Sequence, residues 1–258
     1  MLTIIQTEFI KIKRHSILLI GVSLMALCVL MAVYFSTATE SNMVWDLQAV
    51  YEQVTQTAFE YLSPACIALI LGRMIDREWK DDTLKSVVTV PVSLPRLVIA
   101  KLFTCSVIML VLGAVCGVFS LIACQIAGFP GLTLPAALRV VALLAAYHFL
   151  LFWAVAPVAL IGYLVTGESL AGVILAFVYG YIGQFVVSAD GVRNLYPVLS
   201  CLGILRFREQ YIDWNYPLCY LSFAAMVLLS IGLSFCMKKK DGKPQKKKKA
   251  KLVMRKSW

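Results

Sequence analysis

The chain has 258 residues, of which 60% are apolar and 15% charged, and its formal net charge is +10. A soluble domain carries roughly 45–50% apolar and about 25% charged residues, so the composition excludes an ordinary water-soluble enzyme or binding module and indicates a membrane protein. The positive excess is concentrated between Lys238 and Lys256 without interleaved aromatics, which describes a basic tail and excludes a nucleic-acid-binding domain.

In chain order, Leu2, Ile5, Phe9 and Ile12 recur at three- and four-residue spacing, with Lys11, Lys13 and Arg14 off that face. This predicts an interfacial helix over 1–15, lying flat in the inner headgroup layer. A spanning helix needs about 20 mostly apolar residues. The first span is expected over 17–35, uncharged and with no small-residue cleavage site after it, so no removable signal peptide is expected. The second is expected over 55–74 and contains Glu60. The third is expected over 97–124, ending before a turn made by Gly128, Pro130, Gly131 and Pro135. The fourth follows over 138–165, with a kink expected at Pro157, then the fifth over 170–187 and the sixth over 217–237. Residues 189–215 are too polar to span and are expected to form short helices capping the outer mouth. The expected fold is all-α and polytopic: one six-helix transmembrane domain over 1–237 and a basic tail over 238–258.

Twenty of the 24 Lys and Arg residues fall before span one, between spans two and three, or in the tail; Arg139, Arg193, Arg206 and Arg208 fall on the other side. Positive charge marks the cytoplasmic side, so both termini are expected inside. The tail is then placed to bind anionic inner-leaflet lipid at about 1 kcal/mol per Lys or Arg near the surface, or simply to lock the topology.

The loop between spans two and three has structure of its own. Leu84, Val87 and Val88 make a small apolar face among Arg77, Glu78, Lys80, Asp81, Asp82 and Lys85, and Pro91 and Pro95 stop the helix. The bland reading is a solvated, positively charged loop.

Three residues are candidates for a substrate path, each with a bland alternative. Glu60 is an ionisable group at membrane depth, a functional signal by default, or it sits in the headgroups if span two starts later. His148 in span four is a proton relay or substrate contact, or a hydrogen-bonded core histidine. Gln184, with Tyr179 and Tyr181, lines a path or glues helices together. Gly113 and Gly117 form a GxxxG pair suited to close helix contact. The eight cysteines include no CxxC and no cluster with His, so they read as small buried hydrophobes and no metal site is expected. Cys201 and Cys219 both fall on the outer side, where pairing is compatible with their positions but cannot be derived from spacing.

From Asp76 the sequence reads D-R-E-W-K-D-D-T-L-K-S-V-V-T-V-P-V-S-L-P-R-L-V-I-A-K, ending at Lys101. This resembles the loop between spans two and three of type-2 ABC permeases. The matches are Glu78, Thr83, Leu84, Val87, Val88, Pro91, Ser93, Arg96 and Lys101, with Glu8, Lys11 and Arg14 before span one. Asp82 stands where the family often has Gly. The wording is most similar to permeases of the bacitracin-resistance and lantibiotic-immunity kind. The resemblance implies the transmembrane subunit of an ATP-driven exporter in a bacterial cytoplasmic membrane, moving an amphipathic or hydrophobic compound such as a peptide antibiotic. It also implies a coupling helix in which Glu78, Trp79, Asp82, Thr83, Leu84 and Val87 contact the ATPase. No GxxxxGK[ST] occurs, and Gly242-Lys243 lacks the spacing, so ATP and magnesium are expected on a separate ATPase and no cofactor on this chain. By the same resemblance two permeases, identical or related, pair with two ATPases.

Two other classes remain open. A membrane-embedded enzyme, such as a lipid-modifying one, needs paired carboxylates, HExxH or a Ser/His arrangement, and no catalytic set of that kind stands out here. A sensory or scaffold subunit is the other; a neighbouring reading frame for a histidine kinase would favour it, one for an ATPase the exporter.

Overall fold

The computed structural model describes residues 6–7, 17–38, 45–80 and 94–236; of residues 17, 77–80 and 94 it describes the backbone only. Among these the chain is helical without strands: α1 (Ile17–Ala38), α2 (Leu47–Thr57), a π-helical turn (Ala58–Leu62), α3 (Ser63–Lys80), α4 (Leu94–Ala127), α5 (Leu134–Thr166), α6 (Ser169–Val186), α7 (Asp190–Arg193), α8 (Pro197–Ile204) and α9 (Tyr216–Cys236). Six units among the described residues are long and apolar enough to cross a membrane: α1, the continuous rod Leu47–Asp76, α4, α5, α6 and α9. Helices suit that solvent because they satisfy every backbone N–H and C=O internally.

The connections set the topology. A short turn joins α4 to α5 and another joins α5 to α6, so these neighbours run antiparallel. The N–H of Leu47 donates to the Pro130 carbonyl at 3.1 Å, placing the start of α2 at the end of the bundle that holds the α4–α5 turn. Residues 187–215 lie at that same end, here called the capped end. At the opposite end the Ser169 hydroxyl donates to Asp76 Oδ2 at 2.6 Å, tying the foot of the rod to the start of α6.

The rod begins at Leu47, eight residues before the start expected for span two. Hydropathy underrates these first two turns because Gln48, Glu52 and Gln53 are polar. Yet Leu47, Val50, Tyr51 and Val54 form a buried stripe on the other face, and Asp46 caps the helix by accepting the Ala49 N–H at 2.7 Å. The segment between spans five and six forms two short helices, α7 and α8. Helix α8 sits inward: Val198 through Gly203 are buried, packed against α5 and α9. Pro157 lies within α5 without ending it.

Gly113 and Gly117 face α5 within the same chain. A Cβ on Gly113 would sit 2.5 Å from the Leu144 carbonyl oxygen, and one on Gly117 2.8 Å from Val141 Cα. The GxxxG pair therefore serves an intramolecular contact.

The interfacial helix expected over 1–15, apart from Gln6 and Thr7, lies outside the described residues, as do Asp82, Thr83, Leu84, Val87 and the basic tail. Glu78 and Trp79 fall on the last turn of α3, with their backbone described.

Candidate functional site

The site grows from an irregularity in the rod. Pro64 has no N–H to offer the Glu60 carbonyl, and its ring crowds that oxygen, so a regular α-turn is disfavoured there. The chain widens into a π-turn instead, with the Ser63 N–H reaching back to the Ala58 carbonyl. Gly180 of α6 fills the space beside this turn; a Cβ there would lie 2.6 Å from the Phe59 carbonyl oxygen and 2.5 Å from Pro64 Cγ. His148 pins the same turn from α5. Its Nδ1 lies 2.8 Å from the Leu144 carbonyl, so that nitrogen carries the proton, and Nε2 accepts from the Ser63 hydroxyl at 3.1 Å. Both ring nitrogens of this fully buried histidine are thus occupied.

Glu60 projects from the π-turn into a cavity of about 70 Å³ near the capped end, with Gln56 and Gln184 in its lining. Glu60 is 3% exposed, and its Oε1 accepts from Gln56 Nε2 at 2.8 Å. About two helical turns outward from Glu60, Glu52 Oε1 accepts from Gln48 Nε2 at 2.9 Å. Gln48, Glu52, Gln56 and Glu60 therefore form a ladder of alternating amides and carboxylates along one helix face. Exposure falls along it, from open at Gln48 to closed at Glu60.

The opposite wall comes from the loop before α9. Arg208 Nε donates to Glu52 Oε2 at 2.6 Å, and Phe207 and Trp214 supply aromatic lining, facing Phe59 of the rod. The loop is held tightly. Trp214 Nε1 donates to the Phe207 carbonyl at 2.8 Å, and the buried Arg193 donates to the Asp213 carbonyl at 3.0 Å. Arg206 and Arg208 both adopt left-handed backbone, with φ of 55° and 50°.

Of the three residues singled out from sequence, the structure brings Glu60 and Gln184 together in this cavity and places His148 behind it, outside the lining. Tyr181 packs its ring against Tyr61, and the Tyr179 carbonyl accepts from the Tyr196 hydroxyl, whose proton is held more firmly than usual because burial pushes its pKa up. Sequence reasoning missed Glu52, Gln56, Phe207, Arg208 and Trp214. For the first two a signal was available: residues 48, 52, 56 and 60 repeat a glutamine or glutamate every fourth position, one helical face. For the loop residues no local signal exists.

Among the described residues no group of three His, Cys, Asp or Glu could hold a metal ion. Cys201 and Cys219 are buried free thiols, donating to the Pro197 carbonyl and to Asn194 Oδ1 at 3.2 and 3.6 Å.

Compared with known proteins, residues 4–183 match the family model described as ABC-2 family transporter protein. No curated protein matches the chain. The matched stretch spans α1 to most of α6, so the cavity joins residues within it to a loop beyond it.

Proposed function

The chain belongs to the ABC-2 transporter family, which makes it the membrane-embedded permease subunit of an ABC transporter, and we propose that it works as an exporter driven by a separate cytoplasmic ATPase. The observation that carries this reading is mechanical. Helix α3 runs for 18 residues from Ser63, beside the cavity, to Lys80, at the head of the segment that reads as a coupling helix. At 1.5 Å per residue that is a rod of about 27 Å. A push on Glu78, Trp79, Asp82, Thr83, Leu84 and Val87 by the ATPase would travel along it to the π-turn. The Asp76–Ser169 hydrogen bond would pass the same motion to α6, whose far end carries Gln184.

In this reading both termini are cytoplasmic, the 1–15 helix lies in the inner headgroups, and the lysine-rich tail binds anionic lipid in a bacterial cytoplasmic membrane. A second permease, identical or related, completes the transmembrane path, and ATP with magnesium stays on the ATPase pair. The cargo is an amphipathic or hydrophobic compound, of the class to which bacitracin and lantibiotics belong.

Reconstitution in proteoliposomes tests the coupling. With the partner ATPase present, Leu84→Glu is expected to lower ATP-driven efflux at least about tenfold, since it places a charge where an apolar contact is required. Its thermal midpoint should match that of the wild type. Efflux by the permease without any ATPase, or normal coupling in Leu84→Glu and Asp82→Ala together, overturns the reading.

A further inference from the structure

We propose that the cavity at Glu60 is a docking site for the cationic head group of an amphiphile, a primary ammonium or a guanidinium carried on an apolar body. This names the cargo chemistry of the exporter reading and rests on it for its meaning in transport. Four independent features of the site agree.

The first is net charge. Glu52, Glu60 and Arg208 together carry one negative charge when both carboxyls are ionised, and the Nε of Arg208 is committed to Glu52 at 2.6 Å. Glu60 is left as the carboxylate that lacks a full counterion, and a buried charge is expensive unless it is paired. The second is hydrogen-bond complementarity. Gln56 gives an N–H to Glu60 at 2.8 Å, which leaves its carbonyl oxygen to accept, and an ionised carboxylate accepts only. Glu60 and the Gln56 oxygen therefore offer acceptors to a ligand rich in N–H, which a quaternary ammonium is not, beside the Arg208 guanidinium that is held to Glu52.

The third is the aromatic wall of Phe59, Phe207 and Trp214. Cations are attracted to ring faces within about 6 Å. This region already uses that attraction: the Arg208 guanidinium carbon lies 5.2 Å from the Phe207 ring centre, and that of Arg193 lies 5.5 Å from Trp214. The fourth is size. A cavity of about 70 Å³, at about 10–15 Å³ per water-sized group, holds about five to seven such groups. That admits a guanidinium or an aminomethyl group and excludes a whole peptide or lipid, so the apolar body stays outside the cavity. The ladder from Gln48 to Glu60 supplies a graded route between the capped end and the site. Each rung presents an acceptor to an N–H cation as exposure falls.

The test uses the full chain in phosphatidylcholine nanodiscs, without any ATPase, and radiolabelled dodecylguanidinium as the probe in equilibrium dialysis. Saturable binding is expected, displaced by dodecylammonium and not by dodecanol. Glu60→Gln should weaken it by about tenfold or more, the size of a lost hydrogen bond to a charged group, and Glu60→Asp should retain most of it. Gln184→Leu, half-buried on the α6 side of the cavity, should weaken it by about threefold with an unchanged thermal midpoint, which keeps the site testable if Glu60→Gln does not fold. Equal displacement by dodecanol, or wild-type affinity in Gln184→Leu and in any folded Glu60→Gln, overturns the site. Loss of the site with intact ATP-driven efflux of a neutral amphiphile would leave the exporter reading standing. Guanidinium binding without ATP-driven efflux of any amphiphile would instead remove the exporter and keep the site.

Discussion

Gly113→Val is expected to lower the thermal midpoint of the detergent-solubilised chain by about 5–10 °C, the consequence of overpacking by about 2–3 kcal/mol. The added Cβ would lie 2.5 Å from the Leu144 carbonyl oxygen, 2.9 Å from Ala145 Cα and 2.9 Å from His148 Cβ. Two of these three atoms are backbone, so no rotamer change relieves the clash and α4 must move away from α5. That movement also disturbs His148, whose bond to Ser63 steadies the π-turn under Glu60. Gly232→Ala in α9 is the control, because a Cβ there meets nothing within 4 Å; its midpoint should be unchanged or slightly raised, since Ala favours helix over Gly. Differential scanning fluorimetry reads both. Equal midpoints for Gly113→Val and the wild type would mean that α4 and α5 stand farther apart than described.

Arg208→Ala is expected to destabilise the capped end by about 1–2 kcal/mol. The side chains of Arg208 and Glu52 are 33% and 14% exposed, so the pair falls between two regimes. Fully exposed pairs contribute about 0.2–1 kcal/mol, whereas breaking a fully buried one costs about 3–5. The double variant with Glu52→Gln should recover part of the loss, because the stranded carboxylate then disappears, and a double-mutant cycle in chemical unfolding isolates that term. Arg208→Gly should be more stable than Arg208→Ala by up to about 1 kcal/mol. Both lack the guanidinium, but only Gly adopts a φ near 50° without strain. If Ala and Gly behave alike, the left-handed backbone at this position is not a cost the loop carries.

Much of the fold can be read from the residues one at a time. Apolar runs without charge mark α1, α4, α5, α6 and α9, because each residue's transfer into hydrocarbon contributes nearly independently of its neighbours. The rod Leu47–Asp76 is the exception: its outer turns hide polar residues by pairing Gln48 with Glu52 and Gln56 with Glu60, and an additive hydropathy cannot register pairing. The same pairs, spaced four apart, leave a helical-face signal in the sequence that hydropathy alone passes over. Pro64, which disfavours a regular turn after Glu60, was also a sequence signal, one that the expected span over 55–74 passed over. The likeness of residues 76–101 to the family's loop rests on the order of its residues, independently of any contact.

What the amino-acid sequence determined by itself was class and periodicity: a polytopic helical bundle of the ABC-2 family, with one acidic residue, Glu60, inside the apolar stretch of its second span. Tertiary structure alone decided what stands opposite that residue. Glu60, Gln184 and Arg208 are far apart along the chain, and they converge because packing sets the rotation of each helix about its own axis. Gly180 seats α6 against the π-turn, His148 seats α5 behind it, and the Arg206–Arg208 backbone folds a loop over the opening. Transfer free energy acts residue by residue and leaves that rotation free; close packing of irregular surfaces removes the freedom, and only the folded bundle contains those surfaces.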